Sequence, residues 1–144
     1  MSGYSGTPLA RKLGIRAHSR LFLLAAPGNY AELTAPLPEG VRKVRRIDAR
    51  TDLMHLFVRS AAALARTLPR VRRAMRPDAV IWVSWPKKSS AVASDLSESG
   101  IRALALPLGL VDVKVCAVDE TWSGLKLVLR VSERGGAARA APRT

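Results

Sequence analysis

The sequence predicts an α/β domain, with a mostly parallel sheet of about six strands, helices on its faces and an antiparallel hairpin at its end. Three observations carry that prediction. Val80-Ile81-Trp82-Val83-Ser84-Trp85 is an apolar run without regular alternation, as expected of a strand covered on both faces. An apolar stripe at spacings of three and four follows Ser60: Ala61, Leu64, Leu68, Val71 and Met75, the pattern of a helix with one buried face. Two alternating segments, 111–118 and 125–131, flank a polar turn and read as a hairpin.

Taken in order, Thr7 is placed to cap a short helix with Pro8 at its first position and Gly14 as its stop. Residues 1–14 then form a strap on the sheet edge. Residues 20–26 are the first buried strand, ended by Pro27-Gly28-Asn29-Tyr30. A short helix from Tyr30 to Leu33 stops before Pro36 and Pro38. Residues 41–47 mix apolar and basic side chains, as suits an edge strand that discourages sheet-to-sheet pairing. Asp48 follows it, and Asp52 opens the third strand, 53–58, where a local hydrogen bond is its expected role.

Ser60 caps the long helix, and Pro69 is expected to kink or split it. The central strand follows and should stop at Trp85, because Pro86 lacks an N–H and constrains its neighbour. Asp95 and Glu98 have capping-box spacing, with Ser97 the alternative cap of a helix that carries Ile101, Leu104, Ala105 and Leu108 and ends near Gly109. The strand 111–118 is expected to turn its odd positions to the core. Residues 119–124 form the hairpin turn, and 132–144, rich in Gly, Ala and Arg, a disordered tail.

These elements describe a single three-layer, Rossmann-like domain over residues 1–131. A chain of 144 residues is ample for one such core. No window has the length and apolarity of a membrane span, and Met1-Ser2-Gly3-Tyr4 lacks a signal peptide's apolar core. The lone cysteine, Cys116, excludes an internal disulfide and suits the cytoplasm. With only two histidines, His18 and His55, no metal constellation is expected.

Chemistry concentrates where parallel strands end, the edge at which open α/β sheets bind ligands. The first strand delivers Gly28, Asn29 and Tyr30 to that edge. The central strand delivers Trp85, Lys87 and Lys88, and the hairpin turn delivers Asp119, Glu120, Thr121 and Trp122. Lysines beside carboxylates suit an anionic small molecule or a protein partner. The competing reading is a set of surface ion pairs, worth about 0–1 kcal/mol each. The expectation is an ion pair between Lys87 or Lys88 and Asp119 or Glu120, walled by a tryptophan. No nucleophile is supported: Cys116 has no histidine nearby in sequence. A Gly-x-Gly-x-x-Gly phosphate loop is absent after the first strand, so no nucleotide cofactor is expected.

A net charge of +13 opens another class of partner, nucleic acid, through Arg42, Lys43, Arg45, Arg46, Arg66, Arg70, Arg72 and Arg73. A solvated basic surface is the alternative.

Over residues 20–131 the order of elements resembles the end of an S-adenosylmethionine-dependent methyltransferase fold. The resemblance implies a cofactor held by a glycine-rich loop after the first strand and an acid after the second. Here Gly28 alone stands at the first place and Asp48 is the candidate for the second, and one helix–strand unit is missing. Tyr4-Ser5-Gly6-Thr7-Pro8-Leu9-Ala10, Pro36-Leu37-Pro38-Glu39-Gly40, Trp85-Pro86-Lys87-Lys88 and the long motif over 110–125 are similar to the bacterial DUF3052 family, a domain of unknown function. That resemblance implies no activity. The leading expectation is a non-catalytic ligand- or partner-binding protein on a degenerate methyltransferase-like fold. The alternatives are a reduced methyltransferase and a nucleic-acid-associated basic protein.

Overall fold

Four strands run parallel in the computed structural model, which describes residues 7–134. They are β1 (Arg20–Leu24), β2 (Arg42–Val44), β3 (Leu53–Phe57) and β4 (Val80–Pro86). The hairpin strands β5 (Leu110–Ala117) and β6 (Trp122–Leu129) complete a six-stranded sheet of order β2-β1-β3-β4-β6-β5. The returning strand β6 is inserted between β4 and β5 and pairs antiparallel with both. The single mixed α/β sheet predicted from the sequence is therefore present.

Alternation along β3 and β4 feeds two cores, one on each face. Met54, Leu56, Ile81, Val83 and Trp85 point to the first, with Leu125, Leu127 and Leu129 of β6. Helices α3 (Ala61–Ala74) and α4 (Glu98–Ala105) cover it with Leu64, Leu68, Val71, Ile101 and Ala105. Leu53, Phe57, Trp82 and Trp122 face the second, which is covered by α1 (Leu9–Leu13) and α2 (Tyr30–Thr34) through Ala10, Leu13 and Tyr30. A uniform apolar strand is what such two-sided burial requires.

Several local expectations are corrected. Pro8, not Thr7, is the N-cap of α1, without a side-chain bond. The strap lies across the sheet face rather than on its edge: Leu13 is buried, and its carbonyl accepts from Trp82 Nε1 of the central strand at 2.8 Å. Residues 1–6 of that predicted strap lie outside the described residues. Helix α3 runs through Pro69 as one helix. The bond Pro69 cannot donate would go to the carbonyl of Ala65, an exposed residue, so water can take its place.

Strand β4 extends to Pro86, which sits at its last position opposite Trp122, where a missing N–H is tolerated. Strand β6 likewise starts at Trp122, three residues before the predicted start. In β5 the odd positions do not face the core: Val113 and Val115 are 54% and 49% exposed. This strand ends up at the sheet edge with a register shift between Asp112 and Lys114, and Leu110 at its start is buried in the core with Ile101 and Ala105 of α4. Finally, Val131–Arg134 form a helical turn on the body, with Arg134 Nε donating to Leu129 O at 2.9 Å, so the predicted tail is ordered at its start. Its remainder, 135–144, lies outside the described residues.

Candidate functional site

Strand β1 lies between β2 and β3, so the connection leaving β1 runs to β2 on one side while the connection leaving β3 runs to β4 on the other, and the order of the parallel sheet reverses between β1 and β3. At the carboxyl ends of β1 and β3 sits a cleft of about 420 Å³. Leu24 and Ala25 line it from the end of β1, and Phe57, Val58, Arg59 and Ser60 from the end of β3. Ala63 and Thr67 of α3 form one wall, and Trp122 enters from β6. Ala25 has φ +55°, an uncommon conformation for a residue with a Cβ. Phe57 meets Trp122 edge-to-face, with centroids 5.0 Å apart, making a continuous aromatic wall.

Helix α3 begins at this cleft. Ser60 Oγ accepts from Ala63 N, and Asp95, from the loop after β4, accepts from Ala61 N at 2.8 Å. Asp95 thus caps α3, while Ser97 caps its own helix α4 by accepting from Gly100 N.

Of the residues singled out in the sequence, Trp122 lines the cleft. Gly28 and Asn29 are exposed beyond the end of β1. Tyr30 turns inward: its hydroxyl lies 2.9 Å from His55 Nδ1, and His55 Nε2 lies 2.7 Å from Ser84 Oγ. All three are buried, and His55 stacks on Phe57 with centroids 4.3 Å apart. Burial pushes the Tyr30 phenol up and the His55 imidazole down to about 3, so this chain of groups is neutral. It has the composition of a nucleophile–histidine relay but sits sealed in the core.

The lysine loop and the hairpin turn do meet, through Lys87 N donating to Thr121 O at 2.8 Å. The expected ion pair is not formed: among the described residues neither Lys87 nor Lys88 bridges to Asp119 or Glu120. Asp119 instead accepts from the backbone N–H groups of Thr121 and Trp122, closing its own turn at 2.9 and 2.8 Å. Nor do the two tryptophans share a wall. Trp85 packs in the core under α3 and α4, and Trp122 in the core on the opposite face.

Asp48 does not stand beside Gly28. It lies in the crossover leading to the start of β3, at the amino edge of the sheet, where Arg50 N donates to its carboxylate and Thr51 Oγ1 accepts from its N–H. Asp52 bonds across the sheet rather than locally, accepting from Arg20 N and from Arg76, each at 2.7 Å. Burial pushes its carboxyl up, but the Arg20 N–H and the Arg76 guanidinium outweigh that and hold it below the ordinary carboxylate range. For Cys116 burial pushes the thiol up, opposed by Lys12 and Lys114. Among the described residues no group of three or more His, Cys, Asp and Glu could hold a metal ion, and no helix is long and apolar enough to cross a membrane.

The cleft lies at the carboxyl edge of the sheet to which sequence reasoning pointed, but Phe57, Arg59 and the α3 wall that line it were not singled out. The signal was available in Arg59-Ser60, a helix start immediately after a buried strand.

Neither a protein-family model nor a curated protein sequence matches the chain. Solved methyltransferase structures do share its fold. A magnesium protoporphyrin IX methyltransferase from Synechocystis with bound S-adenosylmethionine is 9% identical, with 84% of this chain and 74% of that chain covered at a TM-score of 0.55. An S-adenosylmethionine-dependent methyltransferase from Clostridium acetobutylicum is 8% identical, with 85% and 87% covered at 0.55. The mitomycin 7-O-methyltransferase is 14% identical at 0.52, and the chain, 78% of it aligned, spans about half (49%) of that protein's length. The chain has the fold of the S-adenosylmethionine-dependent methyltransferases.

Proposed function

We propose that this chain is a reduced methyltransferase-fold protein that binds a small adenosyl-bearing ligand, of the S-adenosylmethionine and S-adenosylhomocysteine class, in the cleft at the ends of β1 and β3. The carrying observation is the cleft's position in the crevice where strand order reverses, the general ligand site of open α/β sheets. Its volume of about 420 Å³ suits a small ligand. Phe57 and Trp122, meeting edge-to-face, offer apolar aromatic surface to a purine, and Arg59 offers a cation to a carboxylate. The fit is incomplete in one respect. Among the described residues no acid lines the cleft, Asp48 lies at the other sheet edge, and Gly28 is exposed with open space around it. These residues do not reproduce the hold that the methyltransferase resemblance implies, and no methyl-transfer step is assigned to them.

A second reading is a non-catalytic protein holding another small anion or a protein partner. It is favoured by Arg59 being the one charged residue lining the cleft among the described residues. The motifs around Trp85-Pro86-Lys87-Lys88 and over 110–125 support grouping the chain with the bacterial DUF3052 proteins, and the lone cysteine supports a cytoplasmic place. Calorimetric titration of the full chain with S-adenosylmethionine and S-adenosylhomocysteine separates the two readings. Micromolar binding of either, weakened about tenfold by Arg59→Ala, is the expected result. No heat at millimolar ligand would sink the adenosyl reading and leave the second.

A further inference from the structure

We infer that the crossover after β2 and the outer side of α3 form one docking surface for the phosphate backbone of a nucleic acid. The inference goes beyond the cleft and is independent of what occupies it. The crossover contains no helix. It folds back over the sheet with Ile47 packed on the core that holds Leu64, Leu68 and Val71 of α3, so loop and helix lie in the same layer. One contact joins them more closely: Asp52, at the end of the crossover, pairs with Arg76, just past the end of α3, at 2.7 Å. Within the crossover itself, Thr51 Oγ1 donates to Arg46 O at 3.5 Å.

Around that seam stand Arg45, Arg46 and Arg50 of the crossover and Arg66, Arg70 and Arg73 of the helix. All are exposed, and among the described residues none makes an ion pair. The nearby acids are engaged elsewhere: Asp52 and Asp78 by Arg76, and Asp48 by its own loop. Arg72 does not belong to this surface. It points to the other side of α3, where Nε donates to Leu108 O and the guanidinium reaches Glu133.

Arginine favours phosphate because its planar fork donates two hydrogen bonds to one group. An anionic membrane would want apolar side chains beside the charge. The exposed large apolar residues Leu106, Val113, Val115 and Val131 instead lie toward the β5 edge, four strands away from β1 and five from β2.

Fluorescence anisotropy tests this with the full chain and two labelled probes, a 20-nucleotide single-stranded oligouridine RNA and a 20-base-pair DNA duplex. Raising salt from 50 to 200 mM should weaken RNA binding about 50-fold, as neutralising about four phosphates on a single strand predicts. Arg45→Ala/Arg46→Ala should weaken binding about tenfold or more and flatten the salt dependence. Arg45→Lys/Arg46→Lys should keep the salt slope. The charge-matched control Lys114→Ala/Lys126→Ala, away from this surface, should stay within about twofold. Unchanged thermal midpoints would show that the variants are folded. Equal losses in both alanine pairs, salt-insensitive binding, no binding of either probe at 50 mM salt, or capture by phosphatidylserine vesicles without nucleic-acid binding would each overturn the inference.

Discussion

At the scale of single residues, the buried chain Tyr30–His55–Ser84 couples stability to pH. Burial holds His55 near 3, whereas an unfolded histidine titrates near 6.5, so as pH falls the unfolded chain takes up the proton first. The His55 contribution is fully present above about pH 6.5 and declines below it, by up to about 1.4 kcal/mol per pH unit, until about pH 3. Urea midpoints measured across pH 4–7 should show that slope. Tyr30→Phe/His55→Leu/Ser84→Ala removes every polar member together and should flatten it relative to the parent chain. An equally steep variant would assign the slope to carboxylates such as Asp52. Gly124 is a second residue with a single-atom reason. A Cβ there would stand 3.2 Å from Cε3 of Trp82, whose indole is fully buried and tied to Leu13. Gly124→Ala should cost about 1–3 kcal/mol by overpacking, read from the same urea midpoints.

At the scale of elements, capping decides where α3 starts and ties it to the neighbouring loop. Ser60 supplies the local cap, but Asp95 reaches the N-terminus from 34 residues away. A carboxylate there both accepts an orphan N–H and opposes the positive end of the helix. Asp95→Ala should lower stability by about 0.5–2 kcal/mol and Asp95→Asn by less, compared by denaturant unfolding. Equal costs would remove the charge component. The capping-box spacing of Asp95 and Glu98 pointed to the wrong helix, because a side chain's nearest N-terminus in sequence is not its nearest in space. Edge strands illustrate the same difference. Strand β2 reads as an edge from its basic residues and is one. The alternating strand β5 reads as half-buried, yet Val113 and Val115 face outward, with the register shift and Lys114 as the features that discourage further pairing.

At the scale of the whole molecule, the strands, the helices and their order were legible because each is set by local pattern: two-sided apolar runs, a 3.6-residue stripe, and proline, glycine and serine at ends. The Rossmann-like class follows from that order, and so does the sheet edge on which a site would lie, since parallel strands carry all their carboxyl ends to one side. What the sequence by itself determined is therefore an α/β sheet whose parallel strands end on one side, and a strong positive charge. Only the tertiary structure decided which residues share the cleft. Lateral placement across the sheet puts β3 beside β1, and this joins Leu24 and Ala25 to Phe57 and Arg59. It also inserts β6 against β4, which brings Trp122 to the same cleft and leaves Trp85 on the other face. Asp48 and Asp119 were eligible ligands by residue type, but turn geometry gave their carboxylates backbone N–H partners first. The physical reason is one of range. Periodicity and capping act within a few residues, whereas the neighbours of a strand, and the partners left over for its polar groups, are set by burial of the whole sheet.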